Sequence, residues 1–383
     1  MTEQKAIVIG AGIAGLSAAA ALIRSGWRVQ ILESAPELGE VGAGLAVTVN
    51  GARALDTIGA LDQVRRAGYA VRPAGTRRAD GKWLLKAPDG GELSQMIGIH
   101  RRRLHQALAE AAGNAELITG ARVTAVEPGT PGAEPARVTW ESGEATADLV
   151  VAADGIRSVT RSILFPDSSL TYSGYSSWRA VVADTSTNDR FAMVWGPHAE
   201  FGALRISPDE VYWYGYVALP AGHRFSNEVD AARDYFGKWA PDVRALTEAT
   251  DTVIRHDVWT LAKPLPRYTQ GRTVLVGDAA HPMLPTLGQG ANSALEDGIS
   301  VGALIRGDVA AGLRDYETQR YRRTQQLVAK SAQMARVGAH LGRGQWLRNG
   351  LLRITPPATA QRSGTRIMDW TPPSFGAETI HRG

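Results

Sequence analysis

An α/β (α+β) architecture is what this sequence predicts, and three observations predict it. A glycine-rich turn, GAGIAG from Gly10 to Gly15, lies between an apolar strand pattern and a helical one. A second strand, glycine-bearing loop and helix follows far downstream in VLVGDAAHPMLPTLGQGANSALEDG, Val274 to Gly298. Between them, from about residue 168 to 262, the chain becomes aromatic and strand-like. Its 383 residues suffice for about two domains, taking roughly 150 residues for each.

Residues 5–10, KAIVIG, read as a buried parallel strand, and Leu16 to Ser25 as a helix ended by Gly26. WRVQILE, 27–33, is the next strand and completes a βαβ unit of Rossmann-like type. Between about 71 and 98, RPAGTRR, Asp80-Gly81 and KWLLKA predict a β-hairpin, since Asp-Gly supplies the positive φ angles of a type I′ turn. RRRLHQALAEAA, 101–112, is an amphipathic helix, followed by short strands at 115–126, 136–140 and 147–152. SSWRAVVAD, FAMVWG, FGALRIS and VYWYGYVAL predict a mainly antiparallel sheet, with FGKWAPDVRALTEAT as a helical insert. RTVLVGD, 272–278, returns to the buried-strand type. Two long helical patterns follow Gln289, separated by Gly307-Asp308, the second reaching about 340. The tail, with Pro356-Pro357 and Pro372-Pro373, reads as irregular. These pieces predict a discontinuous nucleotide domain (1–70, 99–167 and 268–340), a β-sheet substrate domain (71–98 and 168–267) and a C-terminal tail (341–383).

Hydrophobic residues at 44% and charged residues at 21% are ordinary globular composition and argue against disorder. The net charge of +4 rests on arginine, because lysine occurs only at positions 5, 82, 86, 238, 263 and 330. The arginines are scattered and balanced by 38 acidic residues, which argues against a nucleic-acid partner. The absence of cysteine excludes disulfides and thiolate chemistry and is compatible with a reducing compartment. Ala6 to Ile23 is uncharged and just long enough to mimic a membrane span, but Gly10, Gly12 and Gly15 interrupt it and no basic segment precedes it. The expectation is a soluble cytoplasmic protein with no membrane partner.

Three motifs carry the chemistry. In GAGIAG, Gly10 permits a tight turn, Gly12 lets the backbone approach a pyrophosphate, Gly15 lets helix and strand pack closely, and Ala14 lies within the same turn. Glu33, at the end of the next strand, is placed to accept hydrogen bonds from a ribose. This motif does not distinguish NAD from FAD. In DLVVAADGIRSVTRSIL, 148–164, a strand runs into Asp154-Gly155, and the residues alone read more simply as a capped turn. In the third stretch Asp278 ends a strand, either as a turn residue or as a partner for ribityl or ribose hydroxyls, and Gly288-Gln289-Gly290 opens a helix whose free N–H groups can receive negative charge.

Together these motifs, in this order and spacing to about residue 340, resemble the three fingerprints of the class A flavin-dependent monooxygenases of the p-hydroxybenzoate hydroxylase fold. The chain is most similar to small salicylate-hydroxylase-like and urate-hydroxylase-like members. The resemblance implies that Gly10, Gly12, Ala14, Gly15 and Glu33 hold the ADP half of FAD, that Arg101 contacts the cofactor, and that Val123 packs at the adenine through its backbone. It links Asp154 to FAD and the nicotinamide cofactor, sets Asp278 at the ribityl and pyrophosphate region, and lays Gly288, Gln289, Gly290, Ala291 and Asn292 against the pyrimidine edge of the flavin ring. For Arg101 a solvated helix arginine is the simpler alternative.

No metal-ligand spacing exists, the eight histidines being dispersed, and no GxSxG elbow is found, so the oxygen chemistry belongs to the cofactor. The implied cycle has NADPH or NADH reduce FAD, O2 add to give a C4a-hydroperoxide, and one oxygen pass to an aromatic or heteroaromatic substrate. Tyr212, Tyr214 and Tyr216 share one strand face, with Trp213 on the other, either to line the substrate pocket or simply as sheet packing. His281 is the most suggestive titratable residue near the flavin loop, although the family also carries a structural residue there. Thr286 stands where urate-hydroxylase-like relatives carry an aspartate, which speaks against urate and leaves the substrate-activating base unassigned. Arg179 and Arg205 are candidates for an anionic substrate, with surface arginines the simpler reading. The alternatives are an FAD protein of this fold doing epoxidation, halogenation or non-catalytic binding, as a monomer or a homodimer; the halogenase Trp-x-Trp-x-Ile-Pro signature is absent.

Overall fold

The uncharged run after Lys5 builds β1 (Lys5–Ile9) and α1 (Ile13–Arg24), and β2 (Arg28–Leu32) closes the first βαβ unit. Gly26, with φ 83°, ends α1 in the left-handed conformation that glycine adopts without strain. Then come β3 (Gly44–Val47), α2 (Val49–Thr57), α3 (Leu61–Ala67), β4 (Tyr69–Arg78), β5 (Trp83–Lys86), β6 (Met96–His100) and α4 (Arg101–Ala111). Short strands β7 (Glu116–Ile118), β8 (Val123–Glu127), β9 (Ala136–Trp140), β10 (Gly143–Ala147) and β11 (Leu149–Ala152) lead to α5 (Val159–Leu164). The second half comprises β12 (Leu170–Ala183), β13 (Arg190–Gly196), β14 (Ala199–Arg205), β15 (Glu210–Ala218), α6 (Glu228–Phe236), α7 (Pro241–Glu248) and β16 (Ile254–Leu261). It ends with β17 (Thr269–Gln270), β18 (Thr273–Leu275), α8 (Gly290–Leu304), α9 (Val309–Gly338) and α10 (Gln345–Ile354). This computed structural model describes residues 3–39, 42–87, 95–184, 187–338, 341–356 and 364–375.

Six strands form a sheet in the order β17-β18-β11-β1-β2-β7, parallel except at β17. The chain leaves β1 toward β2 on one side and returns at β11 on the other. That reversal opens a crevice at the carboxyl ends of the strands, where ligands bind in open α/β sheets. One face of the sheet packs on α1, α4 and α8, and the other is covered by the antiparallel sheet β10-β9-β8 through Ile7, Ile9, Leu32, Val126 and Val138.

The larger sheet runs β16-β12-β15-β14-β13-β4-β6-β3, with β5 on β4, and only its β4–β13 pairing is parallel. It is continuous across the expected boundaries near residues 70 and 98, because β3 and β6 join it. Its outer face buries Trp178, Trp213 and Phe201 under α6 and α7, with Phe236 of α6 packed down onto them, each large side chain contributing roughly 1.5–3 kcal/mol. The indole N–H groups keep partners, Trp213 donating to Thr250 Oγ1 at 2.9 Å and Trp178 to Glu228 Oε2 at 2.8 Å.

Three local expectations are corrected. The 78–82 hairpin is closed not by a type I′ turn but by a three-residue loop in which Gly81 alone is left-handed (φ 84°), with Gly81 N–H donating to Arg78 O and Arg78 N–H to Lys82 O. The helical insert is two helices, the first beginning at Glu228. The tail is not irregular throughout: α10 occupies Gln345–Ile354 and residues 364–368 are also helical. Residues 357–363 and 376–383 of that tail, including Pro357, lie outside the described residues.

Candidate active site

Four loops meet at the carboxyl edge of the parallel sheet. Gly10–Gly15 follow β1, Glu33 follows β2, Asp154 follows β11, and Gly277-Asp278 follow β18. Glycine permits their contact: a Cβ on Gly10 would lie 2.6 Å from Ala153 O, and one on Gly277 2.9 Å from Ala14 Cβ and 3.4 Å from Ala294 Cβ. Farther along, Gly298 closes on Ser17 and Gly302 on Ala21. The contacts climb together, Ala14 with Ala294, Ser17 with Gly298, Ala21 with Gly302, so α1 and α8 run parallel and present both N-termini at one end. Neither terminus has a side-chain cap or an acidic residue in its first turn. Their orphan N–H groups and aligned dipoles make adjoining sites for negative charge.

Beneath this edge lies an ionic network that is buried except at Arg323. Asp297 accepts from Gly277 N–H at 2.8 Å and from Arg320 Nε at 2.7 Å, and pairs with His281 Nε2 at 2.6 Å. Glu296 accepts from Arg320, Arg323 and Asn50 Nδ2. Despite burial, His281 and Arg320 hold the Asp297 carboxyl down at about 2. The network fixes the Gly277 turn and the start of α8, and His281 belongs to it through Nε2. That is the geometry of a positioning residue, and its Nδ1 is buried with no hydrogen-bond partner.

The other expected cofactor residues fall into two groups. Facing the crevice are Asp278, Arg101 at the start of α4, and the exposed Gly288, left-handed at φ 62°. Asp278 is open to the crevice but surrounded by its walls; that desolvation raises its carboxyl above the ordinary range, against His281, Arg101, Arg161 and Arg179. The second group is committed within the protein. Asp154 accepts from Ser158 Oγ at 2.6 Å and Thr160 N–H at 3.0 Å, the capped turn that its residues alone suggested, with its backbone beside Gly10. Gln289 bonds Asn50 and Thr48, and Asn292 bonds Thr48 N–H and Ala46 O, so their side chains brace the β3–α2 connection while Gly290 and Ala291 open α8 toward the crevice. Glu33 accepts from Ala11 N–H at 2.7 Å and Ala35 N–H at 2.8 Å, leaving carboxylate lone pairs over. Val123 is buried against the end of β2. Sequence reasoning missed Arg161, whose buried guanidinium donates to the carbonyls of Asp278, Ala279 and Ile156 and so ties the second and third motifs together.

Across the crevice stands the inner face of the large sheet. Tyr212, Tyr214 and Tyr216 form a ladder with ring centroids 6.2 and 5.0 Å apart. Strand register adds Arg179 opposite Tyr214 and Glu200 opposite Tyr216. Gly44 abuts Tyr212, since a Cβ there would lie 2.5 Å away. The Tyr214 ring lies flat across Gly202, where a Cβ would lie 2.5 Å from the hydroxyl. A narrow pocket opens between this face and the Leu284–Thr286 loop, lined by Tyr175, Glu200, Tyr216, Leu284, Pro285 and Thr286. Thr286 is a wall of it, because its hydroxyl donates to Ser331 O at 2.8 Å. Arg205 is elsewhere: its guanidinium binds the carbonyls of Asp184, Thr187 and Pro208 and holds a turn. A larger surface cleft lined by Leu304, Arg306 and Pro373 lies at the opposite end of α8 and has none of these groups.

A nucleotide crevice facing an aromatic sheet is the layout of a class A flavin-dependent monooxygenase. A family model described as an FAD binding domain matches residues 3–331, and the chain belongs to that family. It is 32% identical to the aurachin C monooxygenase/isomerase of Stigmatella aurantiaca, over 96% of this chain and 98% of that protein. It is likewise 32% identical to the 2-heptyl-3-hydroxy-4(1H)-quinolone synthase of Pseudomonas aeruginosa, over 94% and 97%. The crystal structure of Klebsiella pneumoniae HpxO complexed with FAD and uric acid matches with a TM-score of 0.82 at 28% identity, covering 96% of each chain. The residues present fit FAD: the uncapped α1 and α8 termini are oriented for its pyrophosphate and flavin ends. Among the described residues no helix is long and apolar enough to cross a membrane, and no cluster of three or more His, Cys, Asp or Glu is arranged for a metal ion.

Proposed function

We propose that this chain hydroxylates an aromatic or heteroaromatic small molecule, taking electrons from NADPH or NADH and oxygen from O2, as a cytoplasmic monomer or homodimer. The observation that carries this reading is the tyrosine ladder facing the paired helix N-termini, with a narrow pocket between that ladder and the Leu284–Thr286 loop. FAD, when bound, supplies the redox chemistry and the activated oxygen. The α8 terminus, at Gly290 and Ala291, favours negative charge on the ring edge laid against it. Gly10–Gly15 and Glu33 would hold the adenosine end, and Asp278 and Arg101 the middle of the molecule. The tyrosine ladder and Leu284 exclude water and orient a flat ring, and Arg179, opposite Tyr214 in the strand register, supplies positive charge beside it.

The purified protein is expected to be yellow, with flavin absorbance, and to consume NAD(P)H faster with a phenol, hydroxyquinoline or quinolone than without. Mass spectrometry should show a product one oxygen heavier. A colourless protein that does not take up added FAD sinks the reading; a yellow protein that no aromatic stimulates identifies a flavin binder instead. Gly202→Ala, which drives a methyl group into the Tyr214 ring, is expected to lower kcat/KM by about tenfold, the equivalent of one hydrogen bond, while flavin content is unchanged. Steady-state titration alongside absorbance at the flavin bands measures both.

A further inference from the structure

Glu200 is the anomaly of the inner face. Only 1% exposed, it stands among aromatic side chains on β14 and lines the pocket beneath the Pro285-Thr286 loop. Its Oε2 accepts from Trp195 Nε1 at 3.0 Å and its Oε1 from Tyr214 Oη at 3.3 Å. An ionised carboxylate has about four lone-pair directions, so two remain for a ligand. We propose that Glu200 is the catalytic base that takes the proton from a substrate O–H or N–H, and that the substrate class is therefore a neutral phenol, hydroxy-heteroaromatic or lactam rather than an aromatic carboxylate. This rests on the hydroxylase reading above and names the group that activates its substrate.

The groups facing Glu200 support this. From β15 come Tyr214 and Tyr216, and from β12 Tyr175; all three hydroxyls are raised by desolvation and stay protonated. From β13 comes Trp195, a donor that cannot ionise. Arg348 of α10 lies over that indole, 4.9 Å from its centroid, and directs its donors to the carbonyls of Val337 and Gly338 at the end of α9 and to Asn349 Oδ1. Among the described residues no basic side chain enters the electrostatics of Glu200 itself. Gly338 closes on Glu200 Oε2, its virtual Cβ 3.2 Å away, and so seals the carboxylate from water. Burial pushes the Glu200 carboxyl up to about 7, where a base is ionised at working pH and still basic enough to take a proton. An aromatic carboxylate set here would face a second buried negative charge, which disfavours it.

In the step itself the substrate O–H or N–H bond breaks heterolytically. The proton passes to a Glu200 oxygen, and the electron pair stays on the heteroatom, where it enters the ring and enriches the carbon ortho or para to it. That carbon then takes the electrophilic oxygen which the flavin chemistry delivers from O2. Arg179, on the same face, offsets the new negative charge on the ring.

Glu200→Gln keeps the shape and the bond from Trp195 N–H, with the Tyr214 hydroxyl turned to accept from the amide, but removes the base. With a phenol or quinolone that the wild-type enzyme hydroxylates, kcat/KM is expected to fall at least 100-fold, with flavin content and NAD(P)H binding unchanged. A polyfluorinated phenol, already ionised at the assay pH, should lose less than fivefold; a merely structural role would lower both equally. The wild-type enzyme gives an independent readout should Glu200→Gln fail to fold: log kcat/KM for the neutral substrate should fall below about pH 7 with unit slope, while the pre-ionised phenol lacks that limb. Equal losses for both substrates, or no acid limb in the wild type, overturn the base. If no aromatic is hydroxylated by the wild-type protein, the hydroxylase reading fails first and takes this one with it.

Discussion

Arg320→Met is expected to destabilise the flavin-free protein by about 3–5 kcal/mol, the largest effect of any single side chain outside the crevice. Arg320 is fully buried and joins two buried carboxylates, bonding Asp297 Oδ1 at 2.7 Å and Glu296 Oε2 at 2.5 Å. Methionine fills most of the volume but leaves Asp297 with His281 and Gly277 N–H, and Glu296 with Arg323 and Asn50. The penalty is that of charge left without its counter-ion in a medium that hydrates it poorly. Urea unfolding monitored by tryptophan fluorescence measures it. The triple variant Arg320→Met, Glu296→Gln, Asp297→Asn should recover part of the loss, because it removes the stranded charges with their partner. If Arg320→Met alone changes stability by less than 1 kcal/mol, the network is not what holds the Gly277 turn. Acid should act on the same network. Asp297 is depressed to about 2 in the folded chain, against about 3.9 for a free aspartate, so its contribution is complete above about pH 4 and is lost as pH falls from there toward 2.

The network also shows where the sequence was readable and where it was not. GAGIAG and VLVGDAAHP were legible because the turns themselves demand glycine: Gly10 and Gly277 take positive φ, and Gly15 must close on Gly10 and Val8. The parallel packing of α1 on α8 was not, since Gly298 and Gly302 sit in an ordinary helical pattern and only their distant partners, Ser17 and Ala21, explain them. Glu296, Asp297 and Arg320 carry no local signal of their burial, which arises only when α8 and α9 fold together. The same holds for Glu200, whose meaning depends on Trp195, Tyr214 and the end of α9 meeting at one point. By contrast the start of α6 carried a local signal that was overlooked: Asn227 caps it by accepting from Val229 and Asp230 N–H, with Glu228 and Asp230 in the first turn. α10 was obscured differently. Its apolar Trp346, Leu347, Leu351 and Ile354 are exposed, and it is docked by the buried Arg348 instead, so hydrophobic periodicity pointed away from the face that packs.

Gly12→Ala and Gly15→Ala are expected to part company, and the contrast tests what the first glycine loop is for. A Cβ on Gly15 would lie 1.9 Å from Gly10 O and 3.2 Å from Val8 Cγ1, so alanine must push α1 off β1. That variant should lose several kcal/mol of stability and its FAD together. A Cβ on Gly12 meets no protein atom within 4 Å, and the residue is an extended N-cap at φ −75° that any side chain can adopt. Alanine there should cost flavin-free stability no more than about 1 kcal/mol, the disadvantage of alanine against glycine at an N-cap. The space it fills is the space above the uncapped α1 terminus, where a pyrophosphate must come within hydrogen-bond distance of the backbone. FAD affinity is therefore expected to fall at least 100-fold in a protein whose melting curve shifts only slightly, measured by flavin fluorescence quenching on titration of the apoprotein. Unaltered FAD binding in Gly12→Ala would place the pyrophosphate elsewhere and leave the glycine without a reason. Loss of both properties in Gly15→Ala is compatible with either outcome, so the decision falls to the glycine that the protein itself does not need.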